Sequence, residues 1–189
     1  APADPFAAPD APPAFLQLHG TYLVEETPEG FRVTDQHALH ERVLYEELLR
    51  RSEQAAVESQ RLLMPEVVEL SAQEAVLAAS LIEPLRALGI EAEEFGQKTL
   101  AVHAVPRLLV DMDVPQLLHE LLRELAADDA EPTSVELQRQ RLVRAVACKA
   151  AVKLGQHLRE GEIAALLARR EALGPLAETC PHGRPTALR

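Results

Sequence analysis

Metal chemistry is the first possibility raised by the residue types in this chain. The stretch Asp35-Gln36-His37-Ala38-Leu39-His40-Glu41-Arg42-Val43-Leu44-Tyr45-Glu46 crowds acids and imidazoles together. His37 and Glu41 stand one helical turn apart, so on a helix they share a face, a common way to present two metal ligands. Glu46 falls about 140° further round an ideal helix and off that face, which makes it a supporting position. Asp35 precedes the helix and can either cap it or point into the site. His40 reads as a surface or packing residue.

The sequence offers further donors far from this stretch. Cys180-Pro181-His182 sets a thiol and an imidazole two residues apart in a segment stiffened by proline, and both bind soft or borderline ions. Cys148 lies in an amphipathic helical pattern, where a cysteine alone is usually a small buried apolar residue. His37, Glu41, Cys148, Cys180 and His182 together are too many ligands for one tetrahedral ion. They suit two ions bridged by a carboxylate.

The elements that must position these donors alternate in type. Residues 15–26 (FLQLHGTYLVEE) predict a strand with Gly20 as a bulge, and Thr27-Pro28-Glu29-Gly30 predicts a tight turn into a short strand at 31–34. The apolar spacing of Leu39, Val43, Leu44, Leu48 and Leu49 predicts a helix over 36–56. A connector at 60–70 leads into a strand. Ser71 with Glu74 forms a capping box opening a helix that contains Pro84 and stops at Gly89. Strands at 90–95 and 99–105 and a helix over 115–127 complete a βαββα unit. After a polar loop at 128–133, Ser134 caps a helix over 135–158. Another helix follows at 162–172, and the segment 180–185 reads as a rigid loop without regular structure. The fold class expected is α+β.

Composition limits the function. The net charge of −11 argues against a domain that grips nucleic acid unaided, because phosphate contacts require basic residues. No apolar run is long enough to span a membrane, and no signal peptide is recognisable. Two cysteines make no secreted disulfide framework, so a reducing, cytoplasmic setting is expected. The Pro/Ala-rich residues 1–13 have the composition of a disordered linker. Without an initiator Met, the chain reads as a fragment.

Asp35-Gln36-His37-Ala38, two residues, Glu41, four residues and Glu46 resemble the DQHA(x)2E(x)4E motif of the C-terminal endonuclease domain of the MutL mismatch-repair family. Ala147-Cys148-Lys149 resembles that family's Ala/Ser-Cys-Arg/Lys triplet. Cys180-Pro181-His182-Gly183-Arg184-Pro185 resembles its C-P-H/N-G-R-P motif. The resemblance implies a metal-dependent endonuclease that nicks one strand of duplex DNA. It assigns His37, Glu41, Cys148, Cys180 and His182 to metal, Asp35 and Glu41 to catalysis, and Glu46 to support. Mn2+ and/or Zn2+ are the implied ions. ATP is implied only for an upstream domain.

Gln60-Arg61-Leu62-Leu63-Met64-Pro65 resembles the family's Q-x-x-(L/I)-x-P segment for the replication sliding clamp, with Gln60, Leu63 and Pro65 as the binding positions. The alternative is a linker whose Leu62 and Leu63 pack inward. The resemblance further implies a homodimer, weak binding to duplex DNA alone, and contact with the mismatch-recognition protein MutS through the full-length protein. It implies a dimerisation and endonuclease subdomain from 14–64 and 134–189, with an external, regulatory subdomain at 65–133. Two rivals stand beside this reading: a noncatalytic dimerisation and clamp-binding module with structural zinc, and an unrelated zinc-binding regulatory domain.

Overall fold

The computed structural model describes residues 15–54, 57–127 and 134–188. The expected linker at 1–13 and the polar loop at 128–133 lie outside the described residues. In chain order the elements are β1 (Phe15–Leu18), β2 (Tyr22–Thr27), β3 (Gly30–Asp35), α1 (Gln36–Glu53), β4 (Ser59–Glu69), α2 (Ala72–Ala87), β5 (Glu91–Glu94), β6 (Thr99–Pro106), α3 (Val114–Ala127), α4 (Val135–Ala150), α5 (Glu160–Leu173) and β7 (Ala187–Leu188). Among the described residues the fold is therefore mixed, with five α-helices and two antiparallel sheets. No described helix is long and apolar enough to cross a membrane.

Packing divides the chain into two compact units. One is built from residues 15–43 and 152–188, the other from Leu44–Ala151. The first holds the sheet β1-β2-β3-β7. Here the expected single strand over 15–26 is replaced by two strands. The chain reverses at His19-Gly20-Thr21, and Leu18 pairs with Tyr22. Gly20 has φ +58°, and a Cβ there would stand 2.6 Å from the Gly155 carbonyl oxygen. The glycine thus permits both the turn and the close approach of a second backbone. The next reversal, through Pro28-Glu29, is where the turn signal put it.

Cross-strand register sorts this sheet into two faces. Leu23 and Thr34 pair across one face and are fully buried. Leu16, Val24, Val33 and Leu188 form a row on the other, next to Leu18 and Tyr22. That second face leaves Leu16, Leu18, Tyr22, Phe31 and Leu188 exposed. The core side packs Leu23 against Leu39 and Val43 of α1 and against Ile163, Leu166 and Leu167 of α5. A largely buried ion pair between Glu25 and Arg170 ties β2 to α5.

The second unit carries the sheet β4-β6-β5 with α2, α3 and α4 around a leucine-rich core. The capping box of Ser71 and Glu74 is formed, and α2 runs through Pro84. The connector expected at 60–70 is itself strand, and its register breaks. Arg61 pairs with Ala104 and Glu66 with Val102, so four residues, 62–65, face one on β6. Leu62 turns inward against the core, whereas Leu63 is thrown fully into solvent, at 105% relative exposure.

The helix expected over 135–158 ends at Ala150. Ala151 is extended (φ −64°, ψ 147°). Both backbone groups of the next residue, Val152, are taken by histidine side chains of α1. Tertiary hydrogen bonds replace the helical ones there, which a periodicity argument cannot anticipate. The segment 180–185 closes on itself through a Thr179–Pro185 bridge, and the chain then adds the unexpected strand β7 to β3.

Candidate metal centre

Asp35 and Gln36 organise the start of α1. Asp35 Oδ1 accepts the Ala38 N–H at 3.0 Å, the N-cap role, while its own N–H donates to the Thr186 carbonyl at 2.8 Å. Gln36 is fully buried and saturated. Its Nε2 donates to the carbonyls of Gly20 (2.6 Å) and Gln156 (2.7 Å), and its Oε1 accepts from Gln17 at 2.7 Å. This amide locks the β1–β2 turn and the 152–159 segment onto the helix start.

The two histidines that hold Val152 do so in opposite tautomers. A carbonyl can only accept, so His37 Nδ1, 2.7 Å from Val152 O, carries a proton, and Nε2 is the nitrogen whose lone pair the neutral ring offers. An imidazole oriented this way is prepared as a metal ligand. His40 Nδ1 instead accepts the Val152 N–H at 3.1 Å. Burial, then Arg169 and His37, lowers the His40 pKa to about 4, so this ring is neutral at physiological pH. His40 is a packing residue, as its sequence context suggested.

Glu41 is fully buried, and among the described residues neither of its carboxylate oxygens has a hydrogen-bond partner. His182 Nδ1 comes within 3.2 Å of Oε1, but without the alignment of a hydrogen bond. A buried carboxylate left this way is costly unless a cation completes it. Glu41, Cys180 and His182 each offer a ligand atom, all within 4.8 Å of one another. Cys180 is fully buried and His182 is exposed. Such a carboxylate, thiolate and imidazole set could hold a divalent ion of zinc-like softness.

The remaining expected residues lie outside this cluster. His37 shares the helix with Glu41 but is not among the mutually close donors. Cys148 is half-buried on α4, in the Leu44–Ala151 unit, and is not in a disulfide. Glu46 is half-buried, further along α1. Gln60 and Pro65 are exposed on β4, at either end of the segment that bears Leu63.

Two arginines bear on the cluster in ways the sequence did not reveal. The Cys180 side chain bonds Arg184 and, together with the charges of Glu41 and Asp35, raises the pKa of that guanidinium. Arg42 hydrogen-bonds the backbone at Thr179 and Cys180. The only local signal for Arg42 was its place next to Glu41. Lys149, in the triplet with Cys148, is paired with Glu120 at 3.3 Å and Glu124 at 3.6 Å.

Comparison with known proteins adds a family. A family model described as the MutL C-terminal dimerisation domain matches residues 15–158, ending before the Cys180 loop. DNA mismatch repair protein MutL of Solibacter usitatus is 36% identical over 172 residues, covering 91% of this chain and 26% of the relative. The protein of the same name from Beijerinckia indica is 38% identical over 175 residues, covering 93% and 27%. That from Paramagnetospirillum magneticum is 39% identical over 199 aligned positions, covering 96% and 32%. The chain therefore spans about a quarter to a third of the length of these curated relatives.

Proposed function

This chain belongs to the MutL C-terminal dimerisation-domain family, and from that premise we propose that it is a homodimerising, metal-dependent endonuclease domain that nicks one strand of duplex DNA in mismatch repair. One observation carries the catalytic part: both carboxylate oxygens of Glu41 are buried without a partner among the described residues, beside the donor atoms of Cys180 and His182. Glu41, Cys180 and His182 would hold the ion, with His37 Nε2 as a further ligand. Bound divalent ions, Mn2+ or Zn2+, supply water activation and neutralisation of phosphate charge. Thiolate ligation favours these over Mg2+. Asp35 spends Oδ1 on the helix cap, and its other oxygen, Oδ2, would accept the proton that the attacking water gives up as it bonds to phosphorus. Glu46 supports the helix. Cys148 belongs to the proposed ligand set on its sequence motif alone. A Cys148→Ser protein that kept its full zinc content would remove it.

The exposed sheet face of Leu16, Leu18, Tyr22, Phe31 and Leu188 is the surface a second copy covers, since contiguous apolar patches on a soluble domain mark contacts. We assign residues 14–64 and 134–189 to dimerisation and catalysis and 65–133 to an external, regulatory role. The outward Leu63 and Met64, with Gln60 and Pro65, suit docking to a sliding clamp. A clamp that encircles DNA would deliver a domain whose charge of −11 disfavours holding DNA by itself. ATP binding and contact with MutS are properties we place in the full-length protein.

The test is nicking of supercoiled plasmid with Mn2+, with and without the clamp, by wild type and Asp35→Asn. Wild type is expected to nick, faster with the clamp, and Asp35→Asn to stay at background. Equal rates for the two proteins would refute the catalytic reading. Stoichiometric zinc without nicking would favour a noncatalytic dimerisation and clamp-binding module with a structural metal.

A further inference from the structure

Arg42 follows Glu41 on α1, yet its side chain works on a segment far along the chain. Nε donates to the Thr179 carbonyl at 2.6 Å and Nη2 to the Cys180 carbonyl at 2.9 Å. Two donors of one planar fork thus grip consecutive carbonyls where the chain enters the loop bearing Cys180 and His182. A guanidinium suits this task because its donors diverge at fixed angles, which a lysine ammonium does not reproduce.

The loop has other ties of its own. The Cys180 N–H donates to the Arg184 carbonyl at 2.8 Å and the Gly183 N–H to the Cys180 carbonyl at 2.9 Å. Thr179 bridges Pro185, and the Asp35 N–H donates to the Thr186 carbonyl. These bonds close the loop on itself and moor its exit to β3. Arg42 moors its entry to α1. Adjacent residues of one helix therefore supply the buried carboxylate and the grip on the segment that brings the thiol and imidazole to it. Metal sites tolerate ligand displacements of only about 0.2 Å, so the entry segment's position matters to a cluster spanning 4.8 Å.

We propose that Arg42 is a positioning residue of the metal centre, setting the Cys180–His182 loop at ligand distance from Glu41 through its two backbone hydrogen bonds. This rests on the reading of Glu41, Cys180 and His182 as metal ligands. It makes a prediction opposite to that of charge alone. Removing a cation beside a cation site should tighten metal binding by simple electrostatics, whereas loss of positioning should weaken it.

The experiment uses the full 189-residue chain as wild type, Arg42→Ala, Arg42→Lys and Cys180→Ser. Co2+ is titrated and read by its thiolate charge-transfer and ligand-field bands, Zn2+ affinity is measured by competition, and loop amide hydrogen exchange is followed without metal. Arg42→Ala is expected to bind both ions about 10- to 100-fold more weakly, with altered ligand-field bands and faster exchange at Cys180 and Gly183. Arg42→Lys recovers part of the affinity. Wild-type affinity and spectrum in Arg42→Ala would overturn the proposal and leave the metal-site reading standing. Wild type that takes up neither ion would overturn that reading and the proposal with it. Should Arg42→Ala not fold, Arg42→Lys decides: an unchanged affinity and spectrum overturns the proposal, and a weaker, altered one supports it.

Discussion

Glu41→Leu separates stability from metal binding more sharply than any other single change. The carboxylate of Glu41 is buried, with both oxygens unpartnered among the described residues. A buried polar group left unsatisfied costs about 1–3 kcal/mol, and more if charged, whereas an apolar side chain of similar shape removes that cost. The nearby Arg184 guanidinium offsets part of the charge, so the lower end of that range applies. Glu41→Leu should therefore stabilise the metal-free chain by about 1 kcal/mol, a rise in thermal midpoint of about 2–4 °C at this size. Zinc should reverse the ranking. At a hundred times its dissociation constant a ligand adds about 2.7 kcal/mol to the protein that binds it, and Glu41→Leu should gain almost none. The assay is thermal unfolding of both proteins in chelator and in buffered zinc. A Glu41→Leu protein less stable than wild type in chelator would show that the carboxylate is satisfied in the folded state. An equal response to zinc in both proteins would remove Glu41 from the ligand set.

Three other outcomes are expected. The Glu74 carboxyl, bonded by His119, then by the Ser71 backbone and hydroxyl, has its pKa lowered from 4.5 to about 2. Its contribution to stability is present above pH 4.5 and lost as pH falls towards about 2, so urea midpoints should fall more steeply over that window in wild type than in Glu74→Gln; parallel curves would contradict the assignment. Gln60→Ala with Leu63→Ala should lower clamp affinity while changing stability by less than about 0.5 kcal/mol, because Leu63 is wholly exposed; calorimetric titration showing full affinity would sink the docking proposal. Leu16→Lys with Phe31→Lys, at positions 59% and 63% exposed, should leave a folded monomer by sedimentation and circular dichroism. A persistent dimer would move the interface elsewhere.

Much of the scaffold was legible because its signals are local. The Asp35 cap, the Ser71–Glu74 box and the Pro28-Glu29 turn each act within a few residues, and the structure has all three. The apolar spacing of Leu39, Val43 and Leu48 likewise marked the buried side of α1. The errors fell where distant backbone intervenes. Residues 15–26 have strand composition throughout, and what divides them is the meeting of Gly20 with Gly155. Residues 151–158 could continue a helix by periodicity, but the histidines of α1 capture Val152 instead. Leu63 differs: of the two readings of that segment, clamp contact or inward packing, the register break opposite β6 leaves Leu63 outward.

For the candidate site the same boundary applies. Residue types and spacing alone determined which donors exist: an imidazole and a carboxylate one turn apart, and a thiol and an imidazole on a proline-stiffened loop. Those are covalent and local facts. Only the tertiary structure decided that Glu41 loses its water without gaining a donor, that Cys180 and His182 come to it, and that Arg42 spans 137 positions to hold their loop. Burial and long-range hydrogen bonds depend on which surfaces meet, and chain order does not specify that one residue at a time.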